Sequence, residues 1–177
     1  GSSGNAVFVE GAGTRWLVDA GLPLRTIERA LASIGQRAAD LTGVLLTHEH
    51  SDHVRGVGVL MRRHRIPVYA NAGTWAAVLA SPSLGRLDPD LVRVLPTGAI
   101  LSVAGPLRLD SPSGDMVIRS FPTPHDAREP VGYRFSSEGR SAAVVTDIGR
   151  AEPALLEEVA GCDAVLIESN HDVEMLR

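Results

Sequence analysis

Residues 41–47, LTGVLLT, are a short, nearly continuous apolar run that ends directly in HEHSDH, residues 48–53. A run of that length without polar alternation reads as a strand buried on both faces, and DAVLIES, residues 163–169, repeats the pattern. Strands covered on both sides need layers above and below them. An α/β architecture with two mixed sheets packed face to face and helices on the outer faces, an αββα sandwich, satisfies that need. A doubly wound sheet is the rival, and composition does not choose between them.

The rest of the chain fits short strands alternating with amphipathic stretches. NAVFVE (5–10) and TRWLVDA (14–20), separated by Gly11 and Gly13, predict a hairpin. Ile27, Leu31 and Ile34 at helical spacing predict a helix over 22–35, started near Pro23 and stopped by Gly35. A helix is predicted over 54–65 and another over 73–80, with a strand at 67–70 between them and a loop over 81–90. LVRVL, AILSVA, PLRLD, MVIRSF, VGYRFSS and SAAVVTD follow one another in the rhythm of a β-meander, and a helix is predicted over 152–161.

The chain of 177 residues reads as one domain, 1–177, long enough for a sizeable core. It starts at Gly1 without methionine and stops at Arg177 in helix-like sequence, so the reading is a segment lacking an N-terminal strand and a C-terminal part. Nothing approaches the roughly 18 apolar residues of a membrane span, and no signal peptide opens the chain. The single cysteine, Cys162, excludes an internal disulfide framework and predicts a cytoplasmic setting. A net charge of −4 argues against a generally basic nucleic-acid binder, although a local patch with a metal site can supply the attraction.

Three of the six histidines fall in the cluster His48-Glu49-His50-Ser51-Asp52-His53. Imidazole nitrogens and carboxylate oxygens are ligands for Zn²⁺ and similar divalent ions. On extended backbone His48 and His50 share a side, and Asp52 and His53 reach a second ion as the chain turns into a helix. The plain alternative is a polar loop whose histidines face water. An HExxH zinc protease would need histidine where the chain has Asp52, and a zinc finger would need paired cysteines.

The stretch THEHSDH, residues 47–53, resembles the T-H-x-H-x-D-H signature of the metallo-β-lactamase superfamily. WLVDAG (16–21), FPTPHDAREPVGY (121–133) and VVTDIG (144–149) resemble the family's other landmarks in order. GSSGNA, THEHSDH, HDAREPVGY and ESNHD look most like the YycJ/WalJ-like subgroup, which implies a bacterial cytoplasmic nuclease of the phosphodiesterase branch. The resemblance implies a first metal on His48, His50 and His125, a second on Asp52 and His53, and Asp147 bridging them. His125 and Asp147 also stand at or just past the ends of strand-like runs, where a loop-edge site is built. The family's further C-terminal histidine has no good counterpart; His171 is the one later histidine and lies close to the last strand.

Two divalent ions about 3.5–4 Å apart can hold a shared water as hydroxide at neutral pH. The implied cofactors are therefore two divalent metal ions per chain, Zn²⁺ first, with Mn²⁺ or Fe²⁺ as alternatives. Asp52 is expected to be both ligand and orienter of that hydroxide, and Asp19 and Thr47 to fix ligand orientation from behind. Glu168 and His171 are candidates for the general acid; Asp126 and His64 read as structural and surface residues. In MRRHR (61–65), Arg62 and Arg65 share a helix face and are candidates for phosphate-backbone contact.

The expected activity is a metal-dependent phosphodiesterase, a nuclease acting on DNA or RNA, with no membrane partner. The alternative is a thioester, lactone or β-lactam hydrolase on the same scaffold. A flavodiiron-type oxidoreductase is disfavoured, because those proteins carry glutamate where this chain has His50. An inactive remnant with one metal is the non-enzymatic reading. Sequence leaves metal identity, substrate and subunit number open.

Overall fold

Gly11 ends β1 (Val7–Gly11), and the chain returns through Ala12 and Gly13 into β2 (Thr14–Val18), with Val7 opposite Val18. Both turn residues have positive φ, 49° and 70°, the two-residue turn that matches the twist of a hairpin. Alanine carries a steric penalty there that asparagine or glycine largely escapes. Ala12→Asn is therefore expected to stabilise the protein by about 0.5–1 kcal/mol. The check is a higher denaturant midpoint at unchanged slope.

The computed structural model describes residues 4–104, 114–150 and 152–167. After β2 come α1 (Leu24–Ser33), β3 (Gly43–Leu45), α2 (Ser51–Val54), α3 (Val57–His64), β4 (Val68–Ala70), α4 (Ala72–Ala80) and β5 (Val92–Val94). Strands β2 to β5 run parallel, so the first sheet, in order β1-β2-β3-β4-β5, is mixed. The second sheet holds β6 (Ile100–Ala104), β7 (Asp115–Pro122), β8 (Val131–Ser137) and β9 (Arg140–Val145) as an antiparallel meander. After α5 (Pro153–Val159), β10 (Ala164–Ile167) adds parallel to β9.

Strand alternation sorts side chains into three layers of core. Trp16, Val18 and Leu45 meet Ile118, Tyr133, Phe135 and Val144 between the sheets. Leu17, Val44 and Leu46, one residue out of phase, pack outward against Ile27 and Leu31 of α1 and Leu60 and Met61 of α3. Phe121 and Val145 on the far face of the second sheet pack with Leu155 of α5. The unbroken apolar run before the histidines thus serves two cores at once, each buried aliphatic side chain contributing about 1.5–3 kcal/mol. Gly43 has no side chain because the Trp16 ring lies over it; a Cβ there would stand 2.6 Å from the indole.

The αββα sandwich expected from the sequence is the observed fold, with four local corrections. LVRVL supplies β5, which closes the first sheet beside β4 instead of opening the meander. The helix expected over 54–65 is two, broken at Arg55–Gly56, where Gly56 N donates to Ala20 O and its Cα faces the Leu22 and Ala20 carbonyls. The loop over 81–90 contains two short 3-10 turns, Pro82–Leu84 and Pro89–Leu91. Among the described residues the strand in DAVLIES lies at the edge of its sheet, with Val165, Leu166 and Ile167 between 42% and 46% exposed. PLRLD (106–110) lies outside the described residues.

Candidate metal centre

Four chain segments end at one pole of the sandwich. Asp19 follows β2, residues 47–53 follow β3, His125 follows β7 and Asp147 follows β9. His48 leaves β3 buried, and His50 stands at the N-cap of α2, whose first turn carries Asp52 and His53. The His53 amide donates to His50 O, which fixes this tight strand-to-helix corner.

Three ring nitrogens converge at the first point. His48 Nε2 lies 3.1 Å from His50 Nδ1, which lies 3.2 Å from His125 Nε2. A second group shares His48: His53 Nε2 is 2.7 Å from Asp147 Oδ2, and His48 Nε2 is 3.7 Å from that same oxygen. Asp52 stands at its margin, Oδ2 3.7 Å from His53 Nε2, with its side chain 28% exposed. Five residues singled out in the sequence therefore form two adjoining clusters, and a sixth, Asp52, stands beside the second.

Behind them lies a hydrogen-bond chain that orients the rings. Asp19 is fully buried at the end of β2, with φ 62°. Its Oδ1 accepts from the Thr47 amide at 2.8 Å, and its Oδ2 accepts from Thr47 Oγ1 at 2.8 Å and His53 Nδ1 at 2.7 Å. Since Thr47 gives its one hydroxyl proton to Asp19, it must accept from His48 Nδ1, 3.0 Å away. Both rings thus carry their proton on Nδ1 and turn Nε2 lone pairs toward the clusters, the tautomer that metal binding needs. Thr146 Oγ1 adds a bond to Thr47 Oγ1 at 3.2 Å.

Electrostatics separates His48 from His53. Burial, then the neighbouring rings of His53, His125 and His50, push the His48 pKa down to about 2, so it stays a neutral donor. Burial acts to lower His53 as well, but the Asp19 hydrogen bond and the charges of Asp19, Asp147 and Asp52 prevail and raise it. The field that favours a second proton on His53 equally favours a cation beside its Nε2. Burial, followed by the Asp19 charge, raises the Tyr133 hydroxyl, which donates to Leu46 O at 2.6 Å under the site. A three-nitrogen group beside a nitrogen–carboxylate group is a donor set that fits divalent transition ions.

A model of the beta-lactamase superfamily domain matches residues 14–176. The chain belongs to that superfamily. Exodeoxyribonuclease WalJ of Streptococcus pneumoniae is 40% identical over 177 residues, covering 100% of this chain and 62% of its own. Exodeoxyribonuclease YycJ of Bacillus anthracis is 37% identical with the same coverages. The chain therefore spans 62% of the length of these relatives. Zn²⁺-bound PqqB from Methylobacterium extorquens superposes with a TM-score of 0.73 at 21% identity, over 98% of this chain and 63% of its own, which shows a shared fold.

The His125 loop of this superfamily member is tied down by groups the sequence reading missed. Glu49, pointing away from its histidine neighbours, accepts from the Arg128 amide at 2.9 Å. Asn71 Nδ2 donates to Glu129 O at 2.6 Å, while the Glu129 carboxylate accepts from Gly73 N at 2.8 Å and Thr97 Oγ1 at 2.7 Å. Asn71 also caps α4 through the Thr74 amide, and an asparagine before a helical run is the one signal that pointed to it. Asp126 Oδ1, 3.2 Å from His125 Nδ1, holds that ring from its solvent side.

Arg62 Nη1 donates to Leu84 O and Arg86 O, and Arg65 pairs with Asp88 at 2.8 Å. Both guanidiniums thereby fasten the 81–90 loop to the C-terminal end of α3. His64 is also more than a surface residue, since its Nε2 bonds Glu28 of α1 at 2.9 Å. Glu168 and His171 lie outside the described residues.

Proposed function

We propose that this chain carries the active site of a metal-dependent phosphodiesterase that cleaves nucleic acid, DNA in the first place. The observation that carries the reading is the pair of donor groups joined through His48 Nε2 at the open pole of the sandwich. The exodeoxyribonuclease relatives at 40% and 37% identity support the substrate. In this reading His48, His50 and His125 would hold one divalent ion, Asp52 and His53 a second, and Asp147 would be shared between them. Three nitrogen donors favour Zn²⁺ at the first position, with Mn²⁺ and Fe²⁺ the competing ions.

Two ions bound there would supply Lewis acidity, lowering the pKa of water and neutralising phosphate oxygens. The chain's own residues do the rest. Asp52, partly open to solvent beside His53, orients the attacking water and accepts its proton. Asp19 and Thr47 keep His53 and His48 in the Nδ1-protonated form throughout. Attack on phosphorus breaks one P–O ester bond, and the departing oxygen takes a proton from Glu168 or His171. Arg55, Arg128 and Arg150, each exposed and three residues after Asp52, His125 and Asp147 respectively, offer positive charge to flanking phosphates.

We further assign residues 1–177 to one domain, because both sheets contribute to a shared core. We place it in the cytoplasm, where a single free thiol, Cys162, persists reduced. No helix among the described residues is long and apolar enough to cross a membrane.

The test is digestion of end-labelled DNA and RNA by the purified full-length protein. DNA cleavage that is abolished by a chelator and restored by Zn²⁺ or Mn²⁺ is expected. A protein that hydrolyses a thioester, lactone or β-lactam and leaves both nucleic acids intact would overturn the reading.

A further inference from the structure

Of the three-nitrogen group, His48 and His50 follow β3 of the first sheet, and His125 comes from the second, after β7. The group is complete only where loops from the two sheets meet in register. His48 and His53 are oriented at Nδ1 by the buried pair Thr47 and Asp19. At His125, Nδ1 faces Asp126, whose side chain is 90% exposed. An ion pair so open to water holds a ring weakly. The place of His125 is therefore set mainly by the backbone that carries it.

That backbone, residues 123–130, is closed at its base by Thr123 N donating to Pro130 O at 3.1 Å and Val131 N donating to Thr47 O at 3.0 Å. On the arm before His125, Gly149 N donates to Pro124 O at 2.9 Å. On the arm after it, Glu129 is the anchor. One oxygen of its carboxylate accepts from the Gly73 amide and the other from the Thr97 hydroxyl, while its carbonyl accepts from Asn71 Nδ2. All three donors belong to the first sheet's half of the chain: Asn71 and Gly73 open α4 after β4, and Thr97 follows β5. Gly73 N is a first-turn amide, which a helix leaves without an internal partner and toward which its dipole draws a carboxylate. Asn71 Nδ2 also donates to Thr97 Oγ1 at 3.1 Å, so the Thr97 hydrogen is left for Glu129. The fit is close, because a Cβ at Gly73 would lie 2.6 Å from Glu129 Cβ and 2.8 Å from its Oε2.

We propose that Glu129 is a positioning residue for the three-nitrogen group: by fastening the loop after β7 to the start of α4, it holds His125 beside His48 and His50. The assignment rests on the ligand set of the proposed function and deepens it.

The test is titration of the metal-free full-length protein with Zn²⁺ against a chelating indicator, below the melting temperature of every variant. His125→Ala is the reference and is expected to weaken Zn²⁺ binding. Glu129→Ala is expected to weaken it about 10-fold or more, the loss typical of removing a group that orients a ligand. Glu129→Gln is expected to recover the wild-type value, since its amide oxygen accepts from Gly73 N and its NH₂ donates to Thr97 Oγ1. Gly73→Ala is expected to weaken binding with Glu129 in place, and it carries the test should Glu129→Ala not fold. In the His125→Ala background, removing Glu129 is expected to cost no further affinity, because the two residues act through one ligand. Wild-type affinity in Glu129→Ala overturns the proposal, and so do additive losses in the double variant, which would mark a general loosening of the fold. Wild-type affinity in His125→Ala overturns the ligand set and this assignment with it.

Discussion

Under the proposed ligand set, Asp19→Asn is expected to weaken binding of the ion assigned to His53 while leaving the three-histidine group able to bind its own. The asparagine oxygen can still accept from the Thr47 amide, and asparagine tolerates the φ of 62° as well as aspartate does, so the backbone is not the variable. The other carboxylate oxygen becomes an NH₂ facing His53 Nδ1 and Thr47 Oγ1, which both donate to it now. His53 relieves the donor–donor clash by moving its proton to Nε2, and the lone pair then points away from Asp147. Loss of such a ring-orienting partner weakens metal binding by about 10- to 100-fold. Asp19→Ala goes further, since it strips three buried donors of their acceptor and puts alanine at positive φ. A loss of about 3–5 kcal/mol is expected in the metal-free protein. Metal titration with thermal melts of both variants separates the two effects. Asp19→Asn binding two ions at wild-type affinity would show that the tautomer is not set from Asp19.

What could be read beforehand divides by the range of the interaction. The unbroken apolarity of residues 41–47 required cover on both faces, and Leu45 inside with Val44 and Leu46 outside is what that cover looks like. The histidine corner was legible because its geometry is local: a strand end, a two-residue alternation and one helical turn bring His48, His50, Asp52 and His53 together. Asp19 and Thr47 were named as orienting residues, and they form the hydrogen-bond chain behind the rings. The ligand roles themselves belong to the proposed function.

The misses came from partners distant in sequence. A short run such as LVRVL has the same pattern in either sheet, and its pairing with β4 follows from the crossover before it. Apolar character in DAVLIES said strand, yet exposure depends on whether another strand lies beside it. The basic run over 61–65 reads as a charged face, and the carbonyls and carboxylate that Arg62 and Arg65 meet, from residues 84–88, are invisible to local spacing. Glu129 and Asn5 meet their partners across 56 and 48 residues, and no spacing rule reaches that far.

Gly21→Ala tests whether close backbone contact is what sets the ligand segment in place. A Cβ at Gly21 would run into the Asp52 carbonyl, and main-chain atoms cannot swing aside as a side chain would. On the other side of the same contact, a Cβ at Gly56 would stand 2.6 Å from Leu22 O and 2.9 Å from Ala20 O. Four backbone hydrogen bonds close the junction: Asn5 N to Asp52 O, Gly21 N to Asn5 O, Ala20 N to His53 O and Gly56 N to Ala20 O. One added methyl must therefore push apart the loop after β2 and the turn carrying Asp52 and His53. A loss of about 3 kcal/mol is expected, at the upper end of ordinary overpacking. In a chain of this size that lowers the melting temperature by about 6–12 °C. Under the proposed ligand set, metal binding falls with it, and first at the ion assigned to Asp52 and His53. Gly35→Ala is the control: it has positive φ, 73°, but nothing within 4 Å of the added Cβ, so it isolates backbone strain of about 1–2 kcal/mol. Equal losses in the two variants, with metal binding intact in both, would mean that the junction yields and that the ligand turn is held by its own hydrogen bonds alone.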